Sequence, residues 1–299
     1  MTESEESFRE DSRDRRFAFG KNWAKFLKGL DEARILAAVE SLKQLLRAES
    51  LEGQSLLDVG SGSGLFSLAA LRLGATNVRS FDYDPDSVKC ATWLRERFAG
   101  TEAAWVIEQG DILDLQYLEA LGTFDIVYSW GVLHHTGKMW QALDNISQLV
   151  CAGGKLVVAI YNDQGWLTSY WKIVKHIYNT GSAGKALMRA IFIPYFFGGS
   201  LFKDLLHFTN PLDRYRSSPS RRGMSMLTDW DDWLGGYPFE VAKPQTVIEF
   251  YESKGFSLER VVLVGGKLGC NEFAFLRSSI SAEAGLRATQ TKGNPNDDH

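Results

Sequence analysis

Only three cysteines, Cys90, Cys151 and Cys270, occur in the 299 residues. They form no CxxC pair and no zinc-type spacing with histidine, which argues against a disulfide-stapled scaffold and suits a reducing compartment. Long apolar runs are missing as well. The most apolar stretch, Ala190 to Phe202, is interrupted by Pro194 and Gly198-Gly199 and falls short of the roughly 20 residues a bilayer span needs. Met1 to Arg16 is rich in Glu, Ser, Asp and Arg and lacks the apolar core of a signal peptide. The expectation is a disordered extension over 1–16, a flexible tail over 282–299, and a cytoplasmic protein without a membrane span. Positive charge is not in excess: the net charge of −4 gives no electrostatic footprint for tight binding to a nucleic-acid backbone and leaves only local basic patches for such a role. Nothing in the chain sets its oligomeric state.

What is present is an alternation of short apolar runs and amphipathic segments. Phe26 to Ala48 has helical spacing, with Leu30, Ile35, Leu42 and Leu46 mainly on one face. Strands are expected at Ser55–Val59, Asn77–Tyr83, Ala104–Gln109, Phe124–Ser129 and Lys155–Tyr161. Helices are expected at Leu65–Leu73, Pro85–Phe98 and Met139–Leu149. Strands alternating with helices imply parallel βαβ units covered on both faces. The ending differs: a helix over Pro244–Lys254 precedes two closely spaced strands, Ser257–Val264 and Asn271–Arg277. A closing hairpin there makes the last strand antiparallel to its neighbour. The predicted fold is therefore α/β and Rossmann-like, a domain over 17–281 with a mainly helical cap inserted after the fifth strand, about 162–241. That excursion is too long for a plain connection.

Chemistry concentrates at the carboxyl ends of the expected strands, where an open α/β sheet binds ligands. Asp58-Val59-Gly60-Ser61-Gly62-Ser63-Gly64 follows a strand and opens a helix, so the backbone can turn sharply and approach a ligand with no Cβ in the way. Dinucleotide-binding folds share such a turn. Asp82 ends the second strand, in Phe81-Asp82-Tyr83-Asp84-Pro85, and its carboxylate can accept from both hydroxyls of a ribose. Gly110-Asp111-Ile112 follows the third strand, where a polar group can meet an adenine amino group. Asp111 has a second reading as a helix cap, and Tyr83 as packing.

Taken in order, LLDVGSGSG, FDYDP, GDILD, FDIVYSWGVLHH and CAGGKLVVAIYN resemble the class I S-adenosylmethionine-dependent methyltransferases. The likeness is to the branch holding the ubiquinone- and menaquinone-biosynthesis enzymes and bacterial small-molecule O-methyltransferases. It covers roughly Leu51 to Asn162 and the closing hairpin. The resemblance implies a seven-stranded sheet and S-adenosylmethionine as cofactor. It puts Gly60, Ser61, Gly62 and Gly64 beside the methionine part, with Asp58 supporting that loop or the amino group. It implies Asp82 on the ribose, Tyr83 on the adenine face, Asp111 and Ile112 on the adenine edge, and Trp130 near the sulfonium.

Methyl transfer is a direct displacement, so positioning carries much of the catalysis, and an oxygen nucleophile also needs a base. His134 and His135, just past Trp130, are the expected catalytic pair, since histidine titrates near neutrality. A structural role for either remains open, His135 being frequent in the family across different substrates. The cap holds aromatic clusters around Trp166-to-Trp171 and Phe192-to-Phe197, then Arg214, Arg216, Arg221 and Arg222. Arg222, Trp233 and Tyr237 are the expected acceptor-binding residues, for arginine forks match carboxylate or phosphate. The alternatives are a nicotinamide-dependent reductase, a tRNA or other nucleic-acid methyltransferase, and a cofactor-binding subunit without activity. The segment Ser129-Trp130-Gly131-Val132 lacks the Asn/Asp-Pro-Pro-aromatic pattern of amino-methylating nucleic-acid enzymes, and no Pro-Cys nucleophile occurs. No spacing demands a metal, and none is expected. The favoured partner is a small molecule whose hydroxyl is methylated: a phenol, quinol or sugar.

Overall fold

Buried β-rich runs form the centre of the computed structural model, which describes residues 19–206, 233–265 and 269–279. Its strands are β1 (Ser55–Val59), β2 (Asn77–Asp82), β3 (Trp105–Gln109), β4 (Phe124–Trp130), β5 (Val150–Tyr161), β6 (Phe256–Val262) and β7 (Cys270–Arg277). They make one sheet in the order β3-β2-β1-β4-β5-β7-β6. β1 to β5 run parallel, and β7 is antiparallel to both β5 and β6. In β1 and β4, Leu56 to Val59 and Ile126 to Ser129 are all buried, as expected of parallel strands covered on both faces.

The helices are α1 (Gly20–Leu27), α2 (Glu32–Leu46), α3 (Leu65–Arg72), α4 (Pro85–Phe98), α5 (Leu115–Leu121), α6 (Met139–Gln148), α7 (Trp166–Tyr178), α8 (Ser182–Leu206) and α9 (Pro244–Glu252). On one face of the sheet, Ile35 and Leu42 of α2, Leu68 of α3 and Leu94 of α4 pack together, each fully buried. On the other, Leu143 and Ile146 of α6 and Val247 and Tyr251 of α9 cover Leu57 and Phe275. Burying each such side chain contributes about 1.5–3 kcal/mol, so Leu42→Ala costs about 2–5 kcal/mol. A third cluster joins Trp171, Val174 and Tyr178 of α7 to Phe192 of α8 and to Leu234 and Phe239.

Several elements differ from the sequence reading. The helix expected from Phe26 to Ala48 is two helices, because Asp31 caps a new one: its Oδ1 accepts from the Arg34 amide at 2.9 Å. The Arg34 guanidinium then donates to Gly29 O at 2.6 Å and fixes the corner. α5 was not foreseen; Asp114 caps it through the Tyr117 amide, 3.2 Å away. β5 begins at Val150 rather than Lys155, so Cys151 lies in a strand and not in a loop. A register shift between Phe124 and Ile126 accommodates the extra residues. α8 continues through Pro194, yet no helix among the described residues is long and apolar enough to cross a membrane. The expected extension and tail at 1–16 and 282–299 lie outside the described residues, as do Arg214, Arg216, Arg221 and Arg222.

Candidate active site

At the carboxyl ends of β1, β2, β3 and β4 lies a cavity of about 380 Å³, a size that suits one small ligand. The turn from β1 into α3 forms its floor. Gly60 and Ser61 both donate their amides to Phe81 O, at 2.8 and 3.2 Å, which locks the turn against β2. Gly62 has φ +55°, and a Cβ there would stand 2.7 Å from the indole of Trp23. Gly64 has φ +80°, and its Cβ would meet Trp105 at 2.8 Å and Ala91 at 2.9 Å. Both positions therefore demand glycine on conformation and on space.

A buried carboxyl, Asp58, and a half-buried one, Asp82, organise this floor. Asp58 accepts from Ser67 Oγ at 2.6 Å, and burial pushes its carboxyl up to about 7 against the pull of that bond. Asp82 accepts from the Gly62 amide at 2.9 Å on Oδ2 and from the Asp84 amide at 2.9 Å on Oδ1. Burial raises it to about 6, although those two amides favour the ionised form. A carboxylate has room for further donors beside them. Ser61 Oγ is buried with no partner among the described residues, an orphan in the cradle that a ligand can satisfy.

Of the residues expected to bind cofactor, Asp58, Gly60, Ser61 and Asp82 line the cavity, and so do Tyr83, Asp111, Ile112 and Trp130. Gly62 and Gly64 shape the turn from behind. Asp111 also accepts from the Leu113 amide at 2.9 Å in a local turn, which leaves lone pairs over, while the cap of α5 is Asp114. Trp130 is held by its indole N–H, which donates to Glu272 at 3.2 Å.

The histidines separate. His135 lines the cavity, and its Nδ1 lies 2.7 Å from Pro238 O. A carbonyl can only accept, so Nδ1 carries the proton and Nε2 keeps its lone pair. Burial lowers His135 to about 3, with Lys175 adding to the effect against the Pro238 bond, so the ring is neutral at pH 7. His134 is fully buried and is not among the cavity-lining residues. Its ring lies 3.9 Å from that of Tyr161, tilted by 39°, and burial holds it well below the usual histidine range.

Trp233 and Tyr237 line the cavity, together with Tyr161 at the end of β5. Trp233 Nε1 is buried without a partner among the described residues. Arg222 lies outside the described residues. Sequence reasoning missed the roof: Phe19 and Trp23 of the amino-terminal segment line the cavity too. The Gly20 amide, which donates to Asp84 at 2.9 Å, ties α1 down. An apolar i, i+4 pair ahead of the first strand was the available signal, and it does not reveal what it covers. The charged residues lining the cavity are Asp58, Asp82, Asp84 and Asp111, with no Lys or Arg among the described ones. The same described residues hold no group of three or more His, Cys, Asp or Glu arranged for a metal.

Residues 57–158 match the family model described as a methyltransferase domain. Among curated proteins, the chain is 35% identical over 106 residues to the ribosomal protein L11 methyltransferase of Pelobacter propionicus, covering 35% of this chain and 31% of that one. It is 35% identical over 111 residues to the tRNA U34 carboxymethyltransferase of Alcanivorax borkumensis, covering 36% and 33%. The chain thus spans about a third of the length of these relatives. Among solved structures, PKMT2 from Rickettsia typhi aligns with a TM-score of 0.55 at 14% identity, over 82% of this chain and 53% of that one. The magnesium protoporphyrin IX methyltransferase of Synechocystis, with bound S-adenosylhomocysteine, aligns at 0.50 and 17%, over 86% and 94%. The fold and the matched domain are those of class I S-adenosylmethionine-dependent methyltransferases. The cofactor of that domain is S-adenosylmethionine.

Proposed function

We propose that this protein transfers the methyl group of S-adenosylmethionine to a hydroxyl oxygen of a small molecule, a phenol, quinol or sugar. The observation that carries the reading is the charge of the cavity. A glycine turn is walled by Asp58, Asp82, Asp84 and Asp111, and no cation lines it among the described residues. That suits a ligand with an ammonium and a sulfonium. It opposes the pyrophosphate of a nicotinamide dinucleotide, since like charges at such range repel.

When bound, the cofactor supplies a methyl group on a positively charged sulfur. The Gly60-to-Gly64 turn and the orphaned Ser61 hydroxyl hold the methionine end, and Asp58 lies there as the acid facing its amino group. Asp82 accepts from the ribose hydroxyls; Tyr83, Asp111 and Ile112 take the adenine. Trp130, Tyr161, Trp233 and Tyr237 form an aromatic wall that excludes water and holds the acceptor near the methyl carbon. His135 is the base in this reading, with its Nε2 lone pair taking the hydroxyl proton while the oxygen attacks. His134, sealed behind Tyr161, supports the turn. A base as weak as His135 removes a phenolic proton more readily than an alcoholic one, which favours phenol or quinol over sugar. Trp233 and Tyr237, from the described part of the 162–241 excursion, serve this acceptor end, and Arg222 is assigned from its residue type alone to an anionic group on the acceptor. The proposal includes the ubiquinone-, menaquinone- and small-molecule O-methyltransferase branch, on the ordered sequence blocks, and a cytoplasmic setting, on the sparse cysteines.

Incubation with methyl-labelled S-adenosylmethionine and a panel of phenols, quinols, sugars, bulk tRNA and ribosomal protein tests it. Label on a small hydroxyl compound is the expected result. Label on tRNA or protein alone would replace the acceptor, and bound cofactor with no transfer to any of these would mark a subunit without activity.

A further inference from the structure

Lys175 is a fully buried lysine that the proposed chemistry does not use. It sits on α7, behind the cavity wall rather than in it. Its ammonium lies 4.2 Å from the ring centroid of Trp233, 4.8 Å from that of Phe239 and 5.8 Å from that of Tyr161. It donates to the backbone carbonyl of Trp233. A buried ammonium costs stability unless paired, and an apolar side chain of the same volume in such a box is often neutral or stabilising. What the charge contributes here is geometry.

One strap of chain shows which geometry. Near its start, residues 233–240 are tied to α7 twice, by Lys175 at Trp233 O and by Asn179 Nδ2 at Gly235 O, 2.8 Å away. At its far end, the strap is tied to the turn after β4. Pro238 O takes the Nδ1 proton of His135 at 2.7 Å, and the Glu240 amide donates to His134 O at 3.0 Å. The Glu240 carboxylate also accepts from the Met139 amide at 2.9 Å. Trp233 and Tyr237, which line the cavity, ride between these ties.

We propose that Lys175 is a positioning residue: by anchoring the 233–240 strap to α7, it sets the aromatic acceptor wall and holds Pro238 O where it fixes the His135 proton on Nδ1. The acceptor-side role rests on the reading of His135 and this wall given above. The cofactor side is built on the β1–α3 turn and Asp82 instead.

The test pairs two measurements on the full chain, wild type and Lys175→Met. Imidazole nitrogen spectra of protein labelled at histidine report the His135 tautomer, with His135→Asn assigning the signal. Titration calorimetry with S-adenosylhomocysteine reports the cofactor side. Wild type is expected in the Nδ1–H form. Lys175→Met is expected to shift toward a tautomer mixture while its cofactor affinity stays within about twofold of wild type, as for uncoupled sites. A mere packing role is met by methionine and leaves the tautomer unmoved. An unchanged Nδ1–H signal in the variant overturns the proposal, as does an equal mixture in wild type. Should Lys175→Met not fold, Asn179→Ala removes the second tie and must produce the same shift in smaller measure; no shift there overturns the proposal equally. Wild-type protein that binds no S-adenosylhomocysteine would remove the methyltransferase reading instead, leaving the tautomer result to judge the clamp alone.

Discussion

Asp82→Asn separates shape from charge at the end of the cavity proposed above to hold the ribose. The wild-type carboxylate accepts from two backbone amides, Gly62 and Asp84, both at 2.9 Å. An asparagine of the same shape keeps one acceptor oxygen and turns an NH₂ toward the other amide, so one donor then faces another. The ribose hydroxyls lose a charge-assisted acceptor, worth about 1.5–3 kcal/mol each before the remaining carbonyl compensates. The net expectation is a loss of about 3 kcal/mol, roughly a hundredfold in the dissociation constant of S-adenosylmethionine. The pH dependence gives an internal control. In the empty protein the Asp82 carboxyl is raised to about 6, and the ligand needs it ionised. Cofactor affinity must therefore weaken as pH falls through 6, by about tenfold per unit below it, with Asp58, raised to about 7, acting in the same direction. The variant loses the part of this slope that Asp82 contributes. Titration calorimetry at pH 5, 6.5 and 8 measures both. Wild-type affinity in the variant, or a wild-type affinity flat across that range, would refute the assignment.

Three further outcomes follow from the same geometry. Gly64→Ala forces a Cβ to 2.8 Å from Trp105 at φ +80°; left-handed strain and overpacking together cost about 2–5 kcal/mol, read as a lower urea midpoint, and a midpoint equal to wild type contradicts it. Asp58 is raised from 3.8 to about 7, so the folded state of the ligand-free protein holds its proton more tightly than the unfolded chain. Its stabilising contribution is complete below the unfolded value and fades as pH rises through 7, by up to about 4 kcal/mol; the stability gap between wild type and Asp58→Asn must change across that window, and a constant gap refutes the shift. With an acceptor in hand, His135→Asn should lower kcat by about 10²–10⁴-fold at nearly unchanged cofactor affinity, and turnover at the wild-type level would remove His135 as the base.

The glycine turn and the acids around it were legible because they are local. A strand, a glycine turn and a helix stand within Ser55 to Arg72, and each acid lies at or just beyond the carboxyl end of a strand, so spacing along the chain maps onto spacing in the cavity. The closing hairpin was legible for the same reason: two strand-like apolar runs, β6 and β7, sit a few residues apart. The aromatic wall and the setting of His135 are assembled from parts far apart. Pro238 and His135 are separated by 103 residues and meet at one hydrogen bond. Trp23 comes to Gly62 only because α1 is tied to Asp84 through Gly20. Nothing in the run from Trp166 to Tyr178 marks Lys175 as buried, since on a helix it looks like a solvent-facing charge. Telling His134 from His135 also needed the fold: both share one turn, but His135 lines the cavity and meets Pro238 O, while His134 is packed closer under Tyr161. The early start of β5 was hidden by Ala152-Gly153-Gly154, which reads as a turn and is instead strand.

The most direct test of the central claim is titration of the purified protein with S-adenosylmethionine, with NADH and NADPH as controls. The acid-walled glycine turn predicts saturable binding of S-adenosylmethionine, at a dissociation constant on the order of micromolar, and no binding of either dinucleotide. Failure to bind S-adenosylmethionine, or preference for a nicotinamide dinucleotide, would contradict the account.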